Sequence, residues 1–306
     1  MGRLTTSFNA WDARTRGICF VLFSVLVWSG WMIVSSYGVR NSLSAYDITA
    51  LRFGTAGLLM LPLLYKKGFR LGPWGIWGGI WLACLMGATY NTITVYGMKF
   101  APASHAAGLI NSSCVGLMTI GGILLLREKT TPLKLTGIAV SVLGVLAIVD
   151  ILHADVTAGD LAFGHMLFLI GGSMWAAYAL FMRAWKLDPI HVAAAVCVYS
   201  AVLYLPVYFL FLPITITSEN IAAAVFQAVY QGIINSIFAL MAYNRGVELL
   251  GVSASSAFIP LIPVIATLTA IPILGQTPNM MDAVGIALVA GGVLLSTGII
   301  GRRASR

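Results

Sequence analysis

Residues 137–146 read GIAVSVLGVL and residues 285–294 read GIALVAGGVL, so two triplets recur with the same spacing at a shift of 148 positions. At that shift Glu128 aligns with Gln276, and at a shift of 147 Trp28 aligns with Trp175. Chance similarity between apolar, glycine-rich stretches is the alternative, but two triplets in one register argue against it. The pattern therefore predicts two related halves.

The composition of the chain indicates a membrane protein. Of its 306 residues, 59% are hydrophobic and only 9% are charged, and its mean hydropathy is +0.92. A soluble domain is about half apolar and about a quarter charged. The composition excludes a soluble enzyme, a disordered protein and a coiled coil. The net charge of +8 does not indicate nucleic-acid binding, because the basic residues are scattered between apolar runs.

Apolar stretches long enough to cross a bilayer, which takes about 20 residues, recur along the whole chain. We predict ten segments: 17–38, 48–65, 74–98, 104–126, 133–152, 161–182, 190–212, 221–244, 253–274 and 281–301. The first is predicted to be a retained helix, because it lacks a small-residue cleavage site. The predicted domains are a cytoplasmic N-terminal tail (1–16), two five-helix repeats (17–152 and 153–301) and a basic cytoplasmic C-terminal tail (302–306).

The distribution of basic residues supports this count. With a cytoplasmic N-terminus, 15 of the 18 lysines and arginines fall in cytoplasmic segments, and only Arg40, Arg52 and Lys99 fall outside. The positive-inside rule produces such asymmetry. Because five is an odd number, the second half must enter the membrane from the opposite side. We therefore predict an all-α polytopic membrane protein of two inverted five-helix repeats, an architecture of many secondary transporters.

The residues around the fourth segment are similar to those of a known family. Residues 101–107 read APASHAA, residues 124–129 read LLLREK before a glycine-rich fifth segment, and Arg52-Phe53 lies near the start of the second. In this order they resemble the EamA family of the drug/metabolite transporter superfamily, over nearly the whole chain as two EamA-like halves. The resemblance implies a ten-helix bundle that moves small metabolites, often exporting amino acids, through a central cavity. The chain departs from the family at Arg127, where a glycine is usual, and at Gln276, which replaces a glutamate.

The titratable residues argue against several mechanisms. All ten aspartates and glutamates lie in tails, in loops or near segment ends, so we expect them to be solvated and expect no buried proton-carrying carboxylate. The four histidines are predicted to form no close pair, and the four cysteines show no metal-ligand spacing. No nucleotide-binding fingerprint occurs. We therefore predict no catalytic residue, no metal and no cofactor, and hence no enzyme.

The eighth segment carries three amides at helical spacing. Gln227, Gln231 and Asn235 stand at i, i+4 and i+8, which places them on one helix face, and Tyr243 follows on the same segment. An amide offers donors and an acceptor, and so suits a zwitterionic or hydroxylated metabolite. The alternative is that the amides bind neighbouring helices.

Polar and aromatic residues elsewhere complete the predicted substrate-binding set. Trp28 and Trp175 lie in the middle of corresponding segments, although tryptophan usually concentrates at membrane interfaces. Such aromatic walls would hold aromatic or cationic groups, and simple packing is the alternative. The other predicted members are Tyr90, Asn91, Asn111, Ser112 and Tyr178.

Four residues are predicted to take part in gating. Arg52 either extends to the lipid headgroups or neutralises a substrate carboxylate. His105, at the predicted outer mouth, is either an interfacial residue or a proton-responsive gate. Pro260 and Pro263 would kink the ninth segment and free backbone carbonyls, for structure or for gating.

Together these patterns predict a multi-pass transporter with both termini in the cytoplasm, and the family resemblance implies a bacterial inner membrane. The preferred function is export of small, amino-acid-like metabolites by alternating access. The expected partners are a small-molecule substrate and the lipid bilayer but no nucleic acid, and Gly137 and Ser141 either pack internally or form a homodimer seam. The alternatives are a transporter of cationic or lipophilic compounds, and a non-transporting membrane or lipid-handling component.

Overall fold

The computed structural model describes residues 12–127, 131–149, 159–251, 254–255 and 258–296, and this part of the chain is helical without β-strands. The helices are α1 (Ala13–Asn41), α2 (Ala45–Lys67), α3 (Ile76–Met86), α4 (Ala88–Gly97), α5 (Ala103–Leu126), α6 (Pro132–Val149), α7 (Gly159–Ala184), α8 (Pro189–Phe211), α9 (Ile221–Gln227), α10 (Ala239–Leu250), α11 (Leu261–Leu274) and α12 (Met280–Ser296). A π-helical segment, Ala228–Phe238, joins α9 to α10.

Most of the predicted segment bounds agree with these helices to within a few residues. One difference is a break at Gly87, which splits the third predicted segment into α3 and α4. A second is a turn at residues 258–260, which separates the helical residues 254–255 from α11, where the sequence predicted one helix from 253 onward. The predicted C-terminal tail, most of the N-terminal tail and the predicted boundary at 152–153 lie outside the described residues.

The helices have the length and composition of membrane spans. Six are long and apolar enough to cross a bilayer: α1, α2, α5, α7, α8 and the continuous stretch Ile221–Leu250. α6, α11 and α12 are shorter apolar helices. Large apolar side chains face outward, with Leu124, Leu125 and Phe211 each more than 70% exposed, as expected where the solvent is lipid. The protein is therefore a multi-pass membrane protein.

Helices from the two predicted halves pack against each other throughout. The closest pairs are α6 with α12, α2 with α8, α5 with α7, and α1 with α10. Each pair takes one helix from each predicted half. Phe168 of α7 and Phe53 of α2 are fully buried in two separate apolar cores.

The repeated glycines lie where α6 and α12 touch. A β-carbon on Gly137 would lie 2.6 Å from the carbonyl oxygen of Gly292, and one on Gly144 would lie 2.6 Å from that of Gly285. The pairs run in opposite directions along the chain, so the two helices are antiparallel. Ser141 is buried in the same contact. The face with Gly137 and Ser141 therefore packs internally and cannot also serve as a dimer seam.

Asp47 secures the start of α2 and corrects the expectation that it is solvated. It forms a capping box with Ser44, the N-cap residue. Its Oδ1 accepts a 2.5 Å hydrogen bond from the hydroxyl of Tyr208, and its Oδ2 accepts one from the hydroxyl of Thr215. The side chain is fully buried. The carboxylate thus ties α2 to α8 and to the loop that follows α8.

Candidate substrate site

Arg52 of α2 points into the helix bundle. Its Nη1 donates a 2.8 Å hydrogen bond to Oδ1 of Asn91 on α4, and its Nε donates a 3.2 Å bond to Oγ of Ser236 in the π-helical segment. The guanidinium therefore does not extend to the headgroups, which was one of the two expectations. Both partners are neutral, so these two bonds leave its charge uncompensated.

The amide of Asn91 is held in place by α2. Its Nδ2 donates a 2.9 Å hydrogen bond to Oγ1 of Thr49, one turn before Arg52. That bond fixes the orientation of the amide and turns its carbonyl oxygen toward the guanidinium. Thr92 donates a further 3.1 Å bond to Thr49. A polar layer thus crosses from α2 to α4 inside an otherwise apolar bundle.

The break before α4 has a steric cause. A β-carbon at Gly87 would overlap Oγ of Ser200 on α8, so only glycine allows this approach. The backbone N–H of Ala88, which begins α4, donates a 3.1 Å bond to that same oxygen. The backbone N–H of Ala88, which the break leaves without a helical partner, therefore finds its acceptor on α8. Broken helices at membrane depth are a recurring feature of transporter binding sites.

Aromatic rings cover one side of Arg52. The ring centroid of Trp31 on α1 lies 5.8 Å from its guanidinium carbon, a distance suited to a cation–π interaction. Trp31 in turn stacks on Tyr90, with centroids 6.3 Å apart and planes 17° apart. We call Arg52, Asn91, Ser236 and Trp31 the arginine cluster. Tyr90 and Asn91 were both predicted site residues.

The three amides on one face of the eighth predicted segment, which we call the amide stripe, are divided between two roles. Nε2 of Gln227 donates a 2.7 Å bond to the carbonyl of Val34, and Nε2 of Gln231 donates a 2.8 Å bond to Oγ of Ser35, so both amides bind α1. Oε1 of Gln231 and Oδ1 of Asn235 are buried and have no hydrogen-bond partner. The interhelical alternative therefore accounts for the donors, and two acceptor oxygens remain free.

The π-helical geometry keeps these groups together. It spans the residues that contain Gln231, Asn235 and Ser236, and Oγ of Ser236 donates a 2.8 Å bond to the carbonyl of Gln231. Ser236 therefore links Arg52 to the backbone of Gln231, the residue whose side-chain oxygen is free. π-Helical turns are rare and occur frequently at functional sites. No pattern in the sequence indicates this π-helical segment.

A second polar cluster corrects the prediction that no two histidines pair. Nδ1 of His105 on α5 lies 2.9 Å from Nε2 of His165 on α7, at hydrogen-bond distance. Nε2 of His105 lies 3.0 Å from Oδ1 of Asp282 on α12, an ion-pair distance, although the atoms are not aligned for a hydrogen bond. All three side chains are buried. Asp282 is therefore not solvated, because helices far apart in sequence enclose it.

The other predicted residues do not join these clusters. Trp28 packs against Tyr243 with centroids 5.0 Å apart, so Trp31 takes the place expected of Trp28. Nδ2 of Asn111 donates a 2.7 Å bond to the carbonyl of Ala107 in its own helix, and Oγ of Ser112 is buried without a partner. The remaining two, Trp175 and Tyr178, are partly buried and pack on the apolar cores.

The two prolines lie at the start of a helix. Pro260 is the N-cap residue of α11, and Pro263 lies in the first turn, where a backbone N–H has no helical partner in any case. The predicted segment is interrupted at this pair, because residues 254–255 are helical, residues 258–260 form a turn, and α11 begins at Leu261. Pro62, Pro206 and Pro272 lie inside α2, α8 and α11, and the sequence did not single out these interior prolines.

No group of three His, Cys, Asp or Glu residues in the described ranges has the geometry of a metal site.

An apolar groove of about 690 Å³ opens between α1 and α10, but none of the predicted substrate residues lines it. The arginine cluster, with the free oxygens of Gln231 and Asn235, is therefore the candidate substrate site.

Comparison with known proteins agrees with this architecture. A model of the EamA-like transporter family matches residues 15–150 and again 162–298. A protein of Archaeoglobus fulgidus described as an uncharacterized transporter is 24% identical over 281 residues, covering 90% of this chain and 94% of its own length. The inner membrane transporter YedA of Escherichia coli, also described as uncharacterized, is 23% identical and covers 92% of this chain and 90% of its own length. A solved crystal structure superposes with a TM-score of 0.59 at 22% identity, covering 96% of this chain and all of the other.

Proposed function

The chain belongs to the EamA-like transporter family, and on that premise we propose that it is a secondary transporter that exports small, amino-acid-like metabolites by alternating access. In this proposal α3 and α4 together make one crossing, which gives ten crossings in two inverted halves. Both termini lie in the cytoplasm, and the membrane is a bacterial inner membrane. Homologues described as membrane transporters support transport rather than catalysis.

The packing of the helices supports the inverted repeat. Exchange of the two halves maps α6–α12 and α2–α8 onto themselves, and it maps α1–α10 onto α7–α4 and α5–α7 onto α11–α1; each of these pairs is in contact. The same exchange maps the contact of Gly137 with Gly292 onto that of Gly285 with Gly144. A two-fold axis in the membrane plane has this effect, and transporters of this design rock one half against the other.

The charge of Arg52 is the observation that carries the substrate class. A guanidinium inside an apolar bundle is expensive unless a partner offsets its charge. Within the part of the chain described here, its hydrogen-bond partners are the neutral side chains of Asn91 and Ser236. A solute with a carboxylate would supply the missing negative charge, and a guanidinium binds carboxylates through two parallel hydrogen bonds.

The free groups nearby match the rest of an amino acid. Oε1 of Gln231 and Oδ1 of Asn235 can accept hydrogen bonds from a substrate ammonium group, and the indole N–H of Trp31, also without a partner, can donate to the carboxylate. The stacked rings of Trp31 and Tyr90 offer an aromatic surface to an apolar side chain. A purely cationic solute would be repelled by Arg52, which disfavours the rival substrate class.

Counterflow in proteoliposomes tests this proposal with three matched probes. L-Phenylalanine has both charged groups, phenethylamine lacks the carboxylate, and 3-phenylpropionate lacks the ammonium. We expect L-phenylalanine to exchange at least about tenfold faster than phenethylamine, because loss of a charge-assisted hydrogen bond costs about 1.5–3 kcal/mol. Faster exchange of the amine would support the cationic alternative. No exchange of any probe or of a wider amino-acid panel would favour a non-transporting role.

Export is tested in cells. Cells that produce the protein should retain less preloaded labelled L-phenylalanine than cells that produce Arg52→Gln at the same membrane level. Equal retention, together with active counterflow, would contradict the proposed direction while leaving transport intact.

A further inference from the structure

The hydrogen bond between His105 and His165 contains one proton, which belongs to either ring. Two ring nitrogens 2.9 Å apart can share a hydrogen bond only if one carries a proton and the other offers a lone pair. If His105 is neutral with its proton on Nε2, facing Asp282, its Nδ1 accepts from Nε2–H of His165. If a proton is added at Nδ1 of His165 and the Nε2 proton of His165 passes to Nδ1 of His105, the charged His105 donates to Nε2 of a His165 that is neutral again. Both arrangements satisfy the contact.

The two arrangements differ by one unit of charge. With both imidazoles neutral, the three side chains carry the single negative charge of Asp282. One added proton places a positive charge on His105, 3.0 Å from Oδ1 of Asp282, and the group becomes neutral. A second proton would place two adjacent cations in a buried site, which is strongly disfavoured. We call the side chains of His105, His165 and Asp282 the histidine cluster. This cluster can therefore bind one added proton but not two.

The charged side chains of the neighbouring helices do not neutralise the carboxylate of Asp282. α1 contributes Arg40, whose guanidinium donates to the carbonyls of Met98 and Ala101 and not to Asp282. The residues of α11 include no titratable side chain. Lys134 of α6 lies 14 positions before Ile148, the residue that faces Gly108 on α5, which is about 21 Å along a helix. Among the residues that the structure describes, Oδ2 of Asp282 accepts a hydrogen bond from the backbone N–H of Asn279 alone.

The cluster joins the two predicted halves. His105 belongs to the first, and His165 and Asp282 belong to the second. A further link, at the end of the bundle where α5 and α12 begin, is the 3.1 Å bond from the backbone N–H of Ala103 to Oε1 of Gln276. If the halves separate at this end, Asp282 loses His105 and water can solvate its carboxylate. The closed arrangement therefore holds the proton more tightly than the open one.

We propose that Asp282, His105 and His165 form a one-proton binding site whose occupancy is linked to closure of this end of the transporter. This rests on the proposed alternating-access function. Linkage is reciprocal: because the closed state binds the proton better, a lower pH favours closure, and closure raises the proton affinity. For one proton, the closing equilibrium changes by at most about tenfold per pH unit.

The test measures closure directly and needs no substrate. Spin labels at Lys99→Cys, just before α5, and Met280→Cys, which is 81% exposed at the start of α12, report the distance between the two halves by pulsed electron paramagnetic resonance in nanodiscs. We expect the short-distance population to increase as the pH falls through the range of about 5 to 8 in which histidine changes charge. His105→Gln should abolish that change. Asp282→Asn should shift it to lower pH, because the added proton would no longer find a carboxylate.

A matched control comes from the other histidine contact. His191, in the first turn of α8, binds the carbonyl of Gly68 at 2.7 Å and lies outside the cluster, so His191→Gln should retain the wild-type pH response. A distance distribution that does not depend on pH in the labelled wild type, or an unchanged pH response in His105→Gln, would overturn the proposal. Either result would leave the counterflow prediction standing, because counterflow is measured at one pH.

Discussion

A β-carbon added to Gly292 would lie 2.5 Å from the carbonyl oxygen of Gly137, so α12 and α6 touch backbone to backbone at this point. Such closeness is possible only where neither helix carries a side chain. In a bilayer, helices are held together by close packing rather than by a hydrophobic driving force between them. This contact therefore joins the fifth predicted segment of one half to that of the other.

We predict that Gly292→Ala destabilises the protein by about 1–3 kcal/mol, the usual cost of overpacking. The obstacle is backbone, which cannot rotate away. Gly291→Ala is the matched control, because a β-carbon there has nothing within 4 Å and alanine is the better helix former. Thermal unfolding in detergent should separate the two variants. Equal melting temperatures would contradict the close contact.

We predict that Arg52→Gln lowers the apparent affinity for L-phenylalanine at least about tenfold, since a charge-assisted hydrogen bond is worth about 1.5–3 kcal/mol. The ratio of the affinity for L-phenylalanine to the affinity for phenethylamine should also decrease. The control is Arg40→Gln, because Arg40 binds the backbone carbonyls of Met98 and Ala101. That variant should leave the preference unchanged. Scintillation proximity binding measures both, and an unaltered preference in Arg52→Gln would refute a carboxylate at this site.

We predict opposite effects for two amides of one stripe. Asn235→Leu removes a buried oxygen that has no partner, so stability should change little while solute affinity falls by about 1–3 kcal/mol. Gln227→Leu removes the hydrogen bond to the carbonyl of Val34, so stability should fall by about 1 kcal/mol with affinity unchanged. Paired binding and unfolding measurements decide. The reverse pattern would assign Asn235 to helix packing.

The predicted orientation can be tested by labelling single cysteines in a background without Cys19, Cys84, Cys114 and Cys197. Lys66→Cys and Ser218→Cys both lie at exposed positions, and the basic-residue asymmetry places them on opposite sides. Gly68 is unsuitable because its φ is +93°. In intact cells, an impermeant maleimide should label position 218 but not 66. Labelling of both from one side would refute the ten-crossing topology.

We predict that Arg127→Gly stabilises the protein by about 1 kcal/mol. Arg127 ends α5 with φ +52° and ψ +36°, a left-handed conformation that costs a non-glycine residue about 1–2 kcal/mol. The cost explains why the resemblance leads us to expect glycine here. Arg127→Ala keeps the strained backbone and should not raise the melting temperature. If both variants were equally stabilised, the arginine side chain rather than its backbone would be the cause.

The sequence by itself determined where most of the helices lie, and it predicts how the two halves are related. Segments such as 17–38 and 104–126 could be recognised because a chain in lipid must satisfy its backbone hydrogen bonds within each helix. Helix position is therefore a local property of about 20 residues. The same locality placed Gln227, Gln231 and Asn235 on one face and drew attention to Arg127.

Only the tertiary structure decided which side chains meet. His105 and His165 are 60 positions apart, and Asp282 lies on another helix, so nothing local indicates that they touch. The same is true of Trp31 over Arg52 and of the donors that Gln227 and Gln231 give to α1. All apolar helices are equally soluble in lipid, so their pairing depends on close packing at points such as Gly137 and Gly292. That packing, rather than the composition of any one helix, placed Asp282 and Asp47 in the interior.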